Sequence, residues 1–370
     1  MTDVFVAADN IVSPLGTDSA ENFSRLKQGL IGVQQHERPA MNNAPFYASL
    51  FEPAQFSSSI YTKFEQLIQT SIEHALRISG IRPAGTKTAL IVCSTKGNAH
   101  LLDEDANTPP ENISLPASAA RLARAFRFDT VPIVVSNACI SGLLGMITGM
   151  RLIRAGRFEN VVVSGADVIS RFILSGFGSF QALSPGHCKP FDKDRDGINL
   201  GEGAATIVLS SRTEYNNSLR LRGGSVSNDA NHISGPSRTG RELCQTIERS
   251  LLDAGADKAD IGFISTHGTA TTYNDEMEAK AITHAGLNHV PANSMKGYYG
   301  HTLGAAGLIE SIITLQSIRE GVILPSLGFE QNGVSTPINI ATALLSTSLT
   351  TCLKTASGFG GCNAAVVLGK

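Results

Sequence analysis

Short β-branched and apolar runs alternate with helical patterns along most of the chain, and this alternation constrains the fold more than any other feature. The runs are TALIVCST, VPIVVSNA, ENVVVSGAD, GEGAATIVLS, IGFISTHG and NAAVVLGK. They are apolar at successive positions, as strands covered on both faces are. Interleaved with helices, such strands predict an α/β protein with mainly parallel pairing. The chain is 42% apolar and 17% charged, which suits a large buried core.

Charge and cysteine usage exclude several classes. The formal charge is −2 and Lys/Arg-rich runs are absent, so nothing marks a nucleic-acid or anionic-membrane surface. Six scattered cysteines, Cys93, Cys139, Cys188, Cys244, Cys352 and Cys362, lack the paired spacing of a disulfide framework or a zinc site. They read as reduced thiols. The opening MTDVFVAADNIVSPLG has no secretory pattern, which makes the cytoplasm the expected compartment. The most apolar window, Val131 to Met150, is broken by Pro132, Ser136, Asn137 and Ser141 and reads as strand, turn and helix rather than a membrane span.

No linker separates clear domains. The polar stretch SRTEYNNSLR, Ser211 to Arg220, closes one strand-rich half, so the expected division is 1–212 and 213–370. The halves share a pattern: CISGLLGMITGMRLIRAG from Cys139 and HTLGAAGLIESIITLQSIREG from His301. Each starts with a reactive residue, has Gly three positions on, and continues as an apolar helix ending in Arg-x-Gly. A duplicated α/β unit with chemistry at equivalent helix starts accounts for this, with a shared site between the halves.

Within VPIVVSNACISGLLGM, Cys139 follows a strand and opens a helix, where N–H groups and the positive helix end favour thiolate and could hold an oxyanion. A buried, inert cysteine is the other reading of the same segment. His267, in FISTHGTATTYNDEMEA, lies past a strand end and ahead of a helix carrying Asp275 and Glu278. His301 stands at another helix start, where imidazolium is disfavoured and a neutral ring can donate to an oxyanion. Lys296, five residues earlier, could pair with Glu278 or Asp275, or could be a solvated loop lysine. The turn ASGFGGCNAAVVL precedes a closing strand.

Five blocks in order, SNACISG, KPFDKDRDGINLGEGAA, THGTATTYNDEMEA, MKGYYGHTLGAAGLIE and SGFGGCNAAVVL, resemble the elongating β-ketoacyl-acyl-carrier-protein synthases of the thiolase superfamily. The resemblance runs from roughly Ala89 to Lys370 and implies a thiolase-like fold of duplicated halves in an αβαβα arrangement. It implies that Cys139 takes an acyl group from a carrier-protein thioester. His267 and His301 would then stabilise the enolate formed by decarboxylation of a malonyl extender, and attack on the acyl-enzyme would give a β-ketoacyl product. Lys296 and Glu278 would orient the histidines, with Asp275 in support. The N–H groups of Cys139 and Phe359 would form the oxyanion hole, and the Phe359 ring would gate extender entry on a loop of Gly358, Gly360 and Gly361.

The same resemblance implies a homodimer or heterodimer, acyl carrier protein as partner, and malonyl and acyl thioesters as substrates. It calls for no metal or resident cofactor, because phosphopantetheine arrives on the carrier. The route would be fatty-acid or specialised polyketide or polyene synthesis. A non-catalytic partner subunit of the chain-length-factor kind is the alternative, and a thiolase acting on coenzyme A esters with Cys362 as second cysteine is another. Departures from the family pattern are Ala270 in place of glycine, Gly297 after the lysine, Cys362 in place of threonine, and the short segment GNAHLLDEDANTPPENISLP before the nucleophile.

Overall fold

A computed structural model of the chain describes residues 2–56, 59–105, 107–215 and 218–370. Its ten-stranded sheet comprises β1 (Phe5–Val12), β2 (Thr88–Cys93), β3 (Ile133–Val135), β4 (Asn160–Asp167), β5 (Gly203–Ser210), β6 (Arg220–Asn228), β7 (Ile261–Ser265), β8 (Ala292–Asn293), β9 (Thr351–Gly358) and β10 (Cys362–Gly369). Their spatial order is β8-β7-β9-β10-β6-β1-β5-β4-β2-β3. Read outward from the middle, each half has the same order: first strand, fifth, fourth, second, third. The halves meet at a single pair of Cα partners, Phe5 and Arg220. Asn216 and Asn217, inside the polar stretch expected to divide the chain, lie outside the described residues.

The principal helices are α1 (Lys63–Ser79), α2 (Leu115–Ala125), α3 (Ser141–Arg154), α4 (Arg171–Ser179), α5 (Arg241–Ala254), α6 (Thr272–His284) and α7 (Ala306–Glu320). The two-residue periodicity of the strands sorts them into layers. Val161 and Val163 pack with α3 and α7, whereas Val162 packs with α1 and α2. In the second half, Val366 and Leu368 face α3 and α7, and Ala365 and Val367 face α5 and α6. The central helices therefore lie between the two half-sheets, which explains why α7 is buried nearly all round. This is the layered, thiolase-like arrangement of duplicated α/β halves.

Pairing is mixed rather than mainly parallel. Strand β2 is parallel to β3 and β4, and β7 is parallel to β8 and β9. Strands β5 and β10, however, run antiparallel to both of their neighbours. The β9–β10 hairpin shows why: the turn at 359–361 is too short for a crossover, so its strands must reverse. Hydrophobicity announces that a strand is buried, not its direction. No helix among the described residues is long and apolar enough to cross a membrane.

Candidate active site

The nucleophile segment is a sharp strand-to-helix turn. Between β3 and α3, Ala138 adopts φ 43°, a conformation costly for a residue with a side chain. Ser141 stabilises the turn: its Oγ accepts from Asn137 N at 2.8 Å and donates to Ala138 O at 2.6 Å. A Cβ at Gly142 would stand 2.9 Å from Gly304 O, so the bare glycine lets the start of α3 touch the turn leading into α7. This contact sets Cys139 beside His301.

Each histidine is fixed through its backbone. His301 donates its N–H to Asn199 O at 2.7 Å and accepts from Gly201 N at 3.0 Å, both in the KPFDKDRDGINLGEG block. His267 follows β7, and Glu278 on α6 accepts from the N–H groups of His267 and Gly268, each at 2.8 Å. Asp275 accepts from Thr269 N at 2.9 Å and from Phe191 N at 2.7 Å. The two imidazoles meet edge to face with centroids 5.2 Å apart.

One ligand-type atom from each of Cys139, His267 and His301 lies within 4.8 Å of the others, and no other His, Cys, Asp or Glu group among the described residues is gathered as tightly. All three line a cleft of about 510 Å³ that also reaches Phe177, Phe180 and Phe359. Phe359 is 39% exposed as a residue; its ring stacks on Phe177 at 5.7 Å and meets Phe180 edge-on at 5.4 Å. Its N–H faces the Cys139 sulfur.

Such a thiol, paired with two imidazoles and a backbone donor, suits acyl transfer. The comparisons agree. Residues 2–214 match the family described as "Beta-ketoacyl synthase, N-terminal domain", and residues 219–330 match its C-terminal domain. The chain belongs to the β-ketoacyl synthase family. It is 33% identical to the "3-oxoacyl-[acyl-carrier-protein] synthase 2" of Vibrio cholerae over 413 aligned residues covering 98% of each. It is also 33% identical, over 64% of its length and 59% of the relative's, to the tetracenomycin polyketide synthase ketoacyl synthase alpha subunit of Streptomyces glaucescens.

Among solved structures, "The ishigamide ketosynthase/chain length factor" superposes with TM-score 0.90 at 26% identity, covering 100% of this chain and 99% of that one. The ketosynthase ApeO in complex with its chain length factor ApeC, from Xenorhabdus doucetiae, gives 0.88 at 26% identity, covering 100% and 98%. The chain is thus an acyltransferase of the ketosynthase type.

Two expectations about this synthase need correction. Lys296 pairs with neither Glu278 nor Asp275; its buried ammonium is ion-paired and hydrogen-bonded to Glu310 on α7. Glu278 and Asp275 are occupied with the main chain around His267, and Glu278 also accepts from Thr355 Oγ1 at 2.6 Å. Nor does the helix start leave Cys139 as thiolate. Burial pushes the thiol up to about 12, outweighing Lys296 and the Phe359 N–H. The same burial, reinforced by Lys296, drives His267 and His301 well below the ordinary imidazole range, so both rings are neutral. His267 Nδ1 and both ring nitrogens of His301 are buried without a hydrogen-bond partner among the described residues.

Glu310 and Lys354 are the site residues that sequence reasoning missed. Lys354 lies on β9 and pairs with the other oxygen of Glu310 at 2.6 Å. The available signals were a glutamate within the apolar run AGLIESIITL and a lysine just before the SGFGG turn. Of the departures, Ala270 sits at φ 58°, in the region glycine favours, and is therefore strained rather than merely small. A Cβ at Gly297 would stand 2.8 Å from Leu327 Cβ, so glycine fits there and serine or proline would crowd it. None of the described residues of 97–116 lines the cleft.

Proposed function

We propose that this synthase joins an acyl group carried on Cys139 to a malonyl unit delivered by acyl carrier protein, with loss of carbon dioxide. The observation that carries the reading is the convergence of one thiol and two neutral imidazoles in one cleft.

In the first half, a neutral histidine takes the Cys139 proton as Sγ attacks the acyl thioester. The N–H groups of Cys139 and Phe359 receive the oxyanion, and the carrier thiol leaves with the proton. In the second half, the bond from the malonyl carbon to its carboxylate breaks and carbon dioxide departs. The electron pair passes into an enolate whose oxygen accepts hydrogen bonds from His267 and His301. The enolate carbon then attacks the acyl thioester, and Cys139 leaves as thiolate and takes up a proton from water to return to the resting thiol. Neutral rings suit this step because they can donate to a negative oxygen as it forms. Phe359, between Phe177 and Phe180, would gate the extender as its glycine-flanked turn moves.

The product would enter fatty-acid or specialised polyketide synthesis in the cytoplasm, in a dimer with a second copy or a chain-length factor, with the chain divided at 212/213. Intact-mass measurement after incubation with acyl-carrier thioesters tests the reading. An acyl adduct on the unaltered protein, absent from Cys139→Ala, is expected. Equal adducts on both proteins, or condensation by Cys139→Ala, would overturn it.

A further inference from the structure

Lys354 is fully buried on β9, three residues before the SGFGGCNAAVVL block, and every polar contact it makes leads to the site. Its position follows from β9: Cys352 and Ala356 face the central layer, so Lys354, two residues from each, points the same way, toward α7. There Nζ donates to Thr266 O at 2.9 Å, Thr355 O at 2.7 Å and Ser265 O at 3.3 Å. Three carbonyls match the three N–H groups of an ammonium. Ser265 and Thr266 are the two residues before His267, while Thr355 begins the stretch that ends at Phe359. The remaining charge contact is Glu310, which Lys296 shares.

We propose that Lys354 is a positioning residue for the condensation half-reaction: it holds the His267 strand end and the Phe359 strand against Glu310 and adds a second positive charge behind the two imidazoles. This rests on the assignment of His267 and His301 to the enolate. The ionisable groups on the surrounding elements are Lys296 and Lys354, whose charges act on both rings, Glu310 on α7 between those lysines, Glu278 and Asp275 on α6 holding the main chain from His267 to Thr269, Asp167 on β4 against Gly304 N, and Cys139. Lys296 and Lys354 share the single carboxylate of Glu310 and both oppose a positive charge on the rings, so removing Lys354 takes away one of the two cations and favours imidazolium.

The test uses Lys354→Met, which removes charge and donors, and Lys354→Gln, which removes the charge but keeps amide donors. Cys139 acylation is read by intact mass and condensation by product formation across pH. Acylation at pH 8, where the rings are neutral in every variant, should fall clearly less than condensation, which at pH 6 should be lowered at least about tenfold. The acid limb of condensation should rise by about one pH unit in both variants, because a cation near the rings has gone. An unmoved limb with intact acylation, or equal loss of both half-reactions with the limb unmoved, overturns the role of Lys354. Should neither variant fold, Lys354→Arg decides: it keeps the charge, so its acid limb should coincide with that of the unaltered protein, and a limb raised by about one pH unit overturns the inference. If the unaltered protein forms no acyl-enzyme at all, the condensation reading itself fails, and this inference with it.

Discussion

Lys296 and Glu310 form a buried ion pair behind the two histidines, and Lys354 reaches the second oxygen of the same glutamate. One carboxylate therefore balances two ammonium groups that have no access to water.

Removing that carboxylate should be severe. Glu310→Gln leaves two buried cations without their counter-charge, for which a loss of about 3–5 kcal/mol is expected. Urea unfolding followed by circular dichroism measures it. A midpoint unchanged from the parent protein would mean that the lysines find other partners.

Cys139 should behave as a thiol at rest. With its proton held up to about 12, iodoacetamide alkylation followed by intact mass should keep accelerating from pH 7 to pH 10, with no plateau. Cys139→Ala supplies the background. A rate that levels off near neutrality would indicate a resting thiolate.

Ala270 should be improvable. Its φ of 58° places a β-carbon where glycine is at ease, and Gly197 N donates to its carbonyl at 3.1 Å, so the turn is held in place. Ala270→Gly relieves strain but loosens the unfolded chain, and a net gain of about 0.5–1 kcal/mol is expected. Loss of stability on denaturant titration would show that the alanine methyl packs better than it strains.

Acid should weaken the fold through the two histidines. Both titrate near ~6.5 when unfolded but are held well below that value when folded. Their contribution is therefore complete above about pH 6.5 and is lost as pH falls. Asp275 acts in the opposite sense: burial raises it from 3.8 to about 6, so its contribution is present at low pH and lost as pH rises through that value. The melting temperature should fall between pH 6.5 and 5, and a His267→Asn, His301→Asn double variant should show a flatter profile there. Parallel profiles would assign the acid sensitivity elsewhere.

Much of this was legible in the chain. The apolar runs marked six sheet strands, because burial on both faces leaves its trace in composition. They did not reveal β8, which is two residues long, or β1, β6 and β9, whose sequences carry Asp9, Asn10, Arg220, Arg222 and Lys354, since tertiary contacts override local polarity. The equivalence of the Cys139 and His301 segments was visible as matching glycines, and the structure gives both the same place at the start of a central helix.

What the sequence by itself determined is therefore the set of reactive residues and the turns that carry them, since a strand, a sharp turn and a helix start are local features. What only the tertiary structure decided is which charges meet and which groups are ionised. Glu310 lies fourteen residues beyond Lys296, and Lys354 joins them from another strand. The states of Cys139, His267 and His301 depend on how completely the folded protein excludes water, which no local pattern records.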